Sequence, residues 1–241
     1  MDSKEFQGDY RNFIISKWAT INIEGFKKPT LQDLEEQVWY YKYIMETVLP
    51  PEKDLRILEI GCGWGANIYT LKKLGYSNVD AVDVIPQCCN FVKEELKVKS
   101  VSCVDVFEFF KGNNRSYDVI IAFDVLEHFY KSEIVSLVSN IHKMLNPSGI
   151  FIMKSPYAGS PVGIFVRYSG FTHETAFTSL SIDELFKAIG FNKVYCIPEP
   201  RPKRYGPKSL IRRFLLKIIA KLLSLDSKFI DSANIIGVGK K

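Results

Sequence analysis

Apolar and polar positions along this chain alternate between two periods, and each change of period marks an element. Thr30-Leu31-Gln32-Asp33 sets an acid three residues after a threonine, the pattern of a capping box. It predicts a helix from 30 to about 49, stopped by Pro50-Pro51. "LRILEI" (55–60) is a short apolar strand, and "IYTLKKLG" (68–75) a helix closed by a glycine. The alternation then repeats. Strands are predicted at 78–84, 100–106, 117–124, 150–156, 193–198 and 233–239, with helices at 86–98, 132–149 and 181–191. A short turn or helix, "FEFFKG", follows the third strand. Strands separated by helices of about 10–15 residues predict an α/β fold: a doubly wound, mostly parallel sheet with helices on both faces.

Two stretches break this rhythm. Residues 157–180 and 199–232 are too long for plain connections, and such insertions usually carry function. The expected organisation is a single domain over 1–241, with a helical cap (1–54), a ligand-binding core (55–156) and two substrate-side insertions. A sixth strand parallel to the first five would send both insertions over one edge of the sheet. Within the second, "KSLIRRFLLKIIAKLLSL" (208–225) gathers Arg213, Lys217 and Lys221 on one narrow face and apolar side chains on most of the rest. Such a helix suits packing on its own protein, a homodimer contact, or docking on an anionic membrane surface.

Composition bounds the class. Hydrophobic residues make up 46% of the chain and charged residues 24%, as in globular proteins. The N-terminus carries no basic-then-apolar leader, and no run of about 18 uncharged apolar residues occurs. A cytoplasmic protein is therefore expected, with peripheral contact at the inner face of the membrane through 208–225. Five cysteines form no CxxC pair and lie away from the three histidines. Reduced thiols and no metal site follow from that spacing. The net charge of +5 is concentrated in the tail: from Glu199 onward, eleven Lys or Arg face three acids. "EPRPKRYGPK" (199–208) adds Arg201 and Arg204 above the expected crevice, which favours an anionic acceptor.

The chemistry concentrates in "LEIGCGWGAN" (58–67). Gly61 turns the chain off the strand, and Gly63 and Gly65 remove side chains where a ligand approaches the backbone. The helix that follows offers free N–H groups. Asp83 ends the second strand, where an acid binds ribose hydroxyls, and Asp105 ends the third, within reach of an adenine amino group. A nicotinamide dinucleotide and S-adenosylmethionine compete for such a crevice. Glu59 would oppose a diphosphate but suits a ligand carrying an ammonium and a sulfonium.

Glu59-Ile-Gly-Cys-Gly-Trp-Gly65, Asp83, Asp105 and "YDVIIAFDVLEH" (117–128) together resemble the class I S-adenosylmethionine-dependent methyltransferases. The closing "ANIIGVG" is similar to that family's antiparallel last strand in its Rossmann-like, seven-stranded sheet. The resemblance implies that Glu59, Gly61, Gly63 and Gly65 line the methionine moiety. Asp83 and Val84 would hold the ribose, Asp105 and Val106 the adenine. Phe123 and Asp124 would lie beside the sulfonium, and S-adenosylhomocysteine would be the product. A narrower resemblance, through "FTHETAFTSLSIDELFKAIGF" and the basic tail, is to methyltransferases of bacterial capsule and other surface-polysaccharide biosynthesis.

Methyl transfer requires in-line alignment, exclusion of water and, for a hydroxyl acceptor, a base. His142 lies mid-helix and reads as structural. His128 follows the fourth strand and suits either direct catalysis or packing beside the site. His173, in the first insertion, overhangs the sheet edge where ligands bind and is the sharper candidate. Arg167 and Glu174 flank it and are candidates to grip a polar acceptor, with Asp124 orienting either histidine. Three acceptor classes follow: a sugar, nucleotide-sugar or sugar-linked phosphate-type group; a lipid-like or quinone-like molecule at the membrane; and nucleic acid. The last is disfavoured because "DVLEH" lacks the Pro-Pro-aromatic step of base-flipping amino methyltransferases.

Overall fold

The computed structural model describes residues 27–200, 207–222 and 232–241. Segments 1–26, 201–206 (with Arg201 and Arg204) and 223–231 lie outside the described residues.

Seven strands form one sheet: β1 (Ile57–Ile60), β2 (Val79–Asp83), β3 (Ser100–Cys103), β4 (Tyr117–Phe123), β5 (Leu145–Pro156), β6 (Lys193–Pro198) and β7 (Asn234–Lys240), in the order β3-β2-β1-β4-β5-β7-β6. β7 lies between β5 and β6 and runs antiparallel to both, while the remaining pairs are parallel. The expected doubly wound sheet with an antiparallel last strand is therefore found. β6 runs the same way as β1–β5, so both insertions do leave from one edge.

Alternation along each strand sorts its side chains to two cores. Leu58, Ile60, Ile120, Ala122, Phe151 and Met153 face one side. There they meet α4 (Val106–Gly112), α5 (Lys131–Met144) and α7 (Ser179–Ile189). Ile57, Ala81, Ile121, Phe123, Ile150 and Ile152 face the other, beneath α1 (Leu31–Val48), α2 (Ala66–Lys73) and α3 (Pro86–Glu94). Strands buried on both faces read as the continuous apolar runs seen in the sequence. Thr30 forms the expected capping box: its hydroxyl accepts from Asp33 N at 3.2 Å and Thr30 N donates to Asp33 Oδ2 at 2.7 Å.

Three boundaries differ from expectation. The third strand stops at Cys103, because the Asp105 carboxylate accepts from Phe107 N at 2.8 Å and caps α4, which draws Val106 into the helix. Helix α5 ends at Met144, ahead of the Asn146-Pro147 stop expected within 132–149. Leu145 already pairs with Tyr117, and 146–149 bulges out, with Ser148 at φ 64°. In the first insertion, Pro161–Ser169 forms helix α6, capped by the Ser160 hydroxyl accepting from Gly163 N at 2.9 Å. Helix α8 (Pro207–Leu222) is the described part of the expected amphipathic helix. No described helix is long and apolar enough to cross a membrane.

Candidate functional site

At the carboxyl ends of β1, β2 and β4, where the strand order reverses, a cavity of about 530 Å³ opens. Glu59, Gly61, Gly63, Gly65, Asp83, Val84, Asp105, Val106, Phe123, Asp124, His128 and His173 all line it. Residues predicted from distant parts of the sequence are therefore brought to one cavity. Arg167 and Glu174 are not among the lining residues. Arg167 stands over the Tyr168 ring, and Glu174 N donates to Glu127 O at 2.6 Å. These two, expected to flank His173 and grip a polar acceptor, thus stand outside the cavity lining.

The glycine turn is built for both ligand and protein. Gly63, at φ 48°, has open space where a side chain would stand, and its N–H donates to Asp83 Oδ2 at 2.8 Å. Gly65 differs from expectation. At φ 76°, a side chain there would collide with Leu96 and press on Val92 of the core, so its absence serves protein packing as well as ligand approach. The other Asp83 oxygen accepts from Ile85 N at 2.8 Å. Asp83 thus fixes the loop through both oxygens and keeps lone-pair capacity for a ribose hydroxyl.

Glu59 sits at the floor of this turn, 2% exposed. Its Oε1 accepts from Asn67 Nδ2 at 2.7 Å, while its Oε2 finds no partner among the described residues. Burial pushes the Glu59 carboxyl up to about 8, against a lowering by Asn67. An orphaned buried carboxylate oxygen beside an open glycine turn fits a ligand ammonium, the group that S-adenosylmethionine would bring.

Helix α1 roofs the cavity with Leu34, Gln37 and Tyr41. Tyr41 stacks on Phe123, with ring centroids 6.3 Å apart and planes 25° from parallel, an arrangement that aromatic quadrupoles favour. The neighbouring Tyr40 hydroxyl donates to Glu199 Oε1 at 2.7 Å, and Glu199 in turn accepts from Asn234 Nδ2 at 2.8 Å. The roof is thereby tied to the ends of β6 and β7.

At the far end, Asp124 follows β4 at φ 55° and pairs with Lys154 Nζ at 2.6 Å. Lys154 is buried beneath the rings of Tyr40, Tyr41 and Phe123. Burial would lower its ammonium, but the Asp124 charge outweighs that and holds it well above its ordinary value. Asp124, expected to orient a histidine, thus has its carboxylate engaged by a buried lysine. His128 is held by Thr172, with Nδ1 at 2.9 Å from the hydroxyl and 3.2 Å from the carbonyl. His173 Nδ1 lies 3.2 Å from Val166 O, and the two imidazoles meet edge to face at 4.9 Å. Burial lowers the His173 imidazole below its ordinary value. Beside them Glu127 is 1% exposed and its Oε2 is unpartnered among the described residues. Burial together with the Asp124 charge pushes its carboxyl well above the usual range.

Sequence reasoning missed four of these residues. Lys154 is a lone cation in an otherwise apolar strand, and Asn67 a polar residue on the buried side of a helix; both were signals. Glu127 stood in the quoted "DVLEH" without a role. Thr172 gave no signal, since only the folded insertion brings it to His128.

Residues 58–151 match the methyltransferase domain family. An O-methyltransferase 3 of Dictyostelium discoideum is 26% identical over 207 residues, covering 76% of this chain and 47% of that protein. A ubiquinone biosynthesis O-methyltransferase of Rickettsia bellii is 30% identical over 108 residues, 42% of each chain. The chain thus spans less than half the length of these curated relatives. Among solved structures, a SAM-dependent methyltransferase from Archaeoglobus fulgidus superposes with a TM-score of 0.65 at 19% identity, covering 88% of this chain and all of that one. This likeness is one of fold.

Proposed function

We propose that this chain, whose residues 58–151 match a methyltransferase domain, transfers the methyl group of S-adenosylmethionine to a hydroxyl oxygen of an amphiphilic acceptor. The observation that carries the cofactor is the Glu59 pocket: an unpartnered buried carboxylate oxygen, an open Gly63 turn and Asp83 stand along one cavity wall. Glu59 and Asn67 would hold the amino-acid end, Asp83 the ribose, and Asp105 with Val106 the adenine. The cofactor supplies a methyl on a sulfonium, already a good leaving group. The chain's part is to align the acceptor, to exclude water with the Tyr41–Phe123 roof, and to take charge of the acceptor proton at the His128–His173 pair.

Both named O-methyltransferase relatives support oxygen as the acceptor atom. The amphiphilic character rests on the insertion that carries His173. Phe165, Tyr168, Phe171 and Leu180 there are exposed, as are Phe214, Leu215 and Leu222 of α8. A quinone-like or lipid-linked acceptor suits such a surface. A second reading, a sugar or sugar-linked phosphate of surface-polysaccharide assembly, draws on the basic tail. Peripheral attachment at the inner face of a membrane, and a homodimer through α8, accompany these readings as proposals.

The test is incubation of the chain with methyl-labelled S-adenosylmethionine and two acceptor panels, prenylated hydroxyquinols and nucleotide sugars, with products identified by mass spectrometry. Labelled quinol ether is expected. Label on sugars alone replaces the first reading with the second, and no binding of S-adenosylhomocysteine by calorimetry overturns both.

A further inference from the structure

We propose that Glu127, His128 and His173 form a binding site for one divalent transition-metal ion at the acceptor end of the cavity. Each residue offers a ligand atom, and these atoms all lie within 4.8 Å of one another. Donors about a small divalent ion sit roughly 3–4 Å apart, so shifts below about 1 Å complete the set. Two imidazoles and a carboxylate are the donors that borderline ions of the zinc, cobalt and iron type prefer.

The surroundings hold the set ready. A backbone carbonyl only accepts, so Val166 O assigns the His173 proton to Nδ1 and makes its Nε2 the lone-pair atom, while the Thr172 hydroxyl and carbonyl, 2.9 and 3.2 Å from His128 Nδ1, fix the orientation of that ring. Metal-bound histidines are oriented by this kind of outer hydrogen bond. The Glu127 backbone carbonyl is pinned by Glu174 N and Thr175 N, which joins its turn to the loop that carries His173. The Glu127 Oε2 is buried without a hydrogen-bond partner among the described residues, a state that a cation relieves. Three ligands leave coordination positions open, and His128 and His173 line the cavity, so those positions face the acceptor.

The catalytic use of this site rests on the methyl-transfer reading. With metal bound, both imidazoles would be ligands and no longer bases, so coordination would replace their proton step: it would lower the pKa of the acceptor hydroxyl, whose proton would leave to water on the acceptor side before the methyl donor is aligned. The oxygen–methyl bond then forms as the sulfur–methyl bond breaks. Metal binding itself is independent of that reading.

The experiment is calorimetric titration of the full chain with Co²⁺ after chelator treatment, followed by visible absorption, with S-adenosylhomocysteine affinity measured separately. One Co²⁺ per chain is expected, with ligand-field bands of a nitrogen–oxygen set and no thiolate charge-transfer band. His173→Ala and Glu127→Gln each weaken binding roughly tenfold or more, while His142→Ala leaves it unchanged and S-adenosylhomocysteine affinity stays within about twofold in all three. Absence of stoichiometric binding up to millimolar Co²⁺, thiolate bands, or equal affinity in all variants overturns the site. Loss of S-adenosylhomocysteine binding in the unmodified chain overturns the methyl-transfer reading instead and leaves the metal result standing.

Discussion

Lys154 Nζ lies 2.6 Å from the Asp124 carboxylate, yet the two partners are unequally buried: the lysine side chain is 8% exposed and the aspartate 50%. The pair is therefore asymmetric. Removing the aspartate strands a cation under three aromatic rings; removing the lysine leaves an acid that water can reach. Asp124→Ala is expected to cost about 3 kcal/mol of stability and Lys154→Met under about 1 kcal/mol. Chemical denaturation of both variants checks the order, and equal losses would refute it.

Glu59 carries a second trade-off. Its folded pKa of about 8 lies above the ordinary 4.5, so the native state holds its proton more firmly than the unfolded chain. The stability this contributes is complete below about pH 4.5 and is lost as pH rises through about 8. Glu59→Gln is expected to stabilise the unliganded chain by on the order of 3 kcal/mol at about pH 8 and to bring little change at about pH 4. The same variant loses cofactor affinity. In the unmodified chain at about pH 7, pairing with a ligand ammonium expels the Glu59 proton, about one per ligand bound. Calorimetry in two buffers of different ionisation heat reads that proton, and its persistence in Glu59→Gln would contradict the assignment.

In the proposed arrangement His173 serves the acceptor, and Glu59 and Asp83 hold the cofactor. His173→Ala is expected to lower kcat by about 10²-fold or more while S-adenosylhomocysteine affinity changes less than about twofold. Full retained turnover would remove His173 from the chemistry.

Two glycines of one turn fail in different ways. Gly65→Ala drives a methyl into Leu96 at a left-handed backbone. It is expected to lower the melting temperature by several degrees, roughly 2 kcal/mol. Gly63→Ala meets open space, costs only about 1 kcal/mol of backbone strain, and shows its effect in weakened cofactor binding. Thermal melts with and without S-adenosylhomocysteine separate the two.

Much of this was legible in the residues. The period of the apolar positions located the strands, because strands buried on both faces leave no freedom to place polar groups. The acids at strand ends were legible for the same reason: Glu59 and Asp83 are charges where packing alone would choose Ile or Val. What the chain order hid was convergence across long separations. His128 and Thr172 meet only because the turn after β4 and the first insertion rise over the same edge. Tyr41 comes to Phe123 through the path of α1, which sequence periodicity leaves undetermined. The Glu127, His128 and His173 cluster was hidden likewise, since cysteine–histidine spacing says nothing about a glutamate and two histidines from separate segments.

The Tyr40–Glu199–Asn234 chain gives the roof a latch outside the chamber it covers. A spent cofactor seated against Glu59 would lie beside the face of α1 that lines the cavity, so a lifting of that helix would widen its way out. Lifting α1 draws Tyr40 from Glu199 and loosens the start of the segment that leads to the basic tail. Emptying the chamber and resetting the acceptor side would thus be one movement, and a weakened latch would speed exit at the expense of holding the next methyl donor.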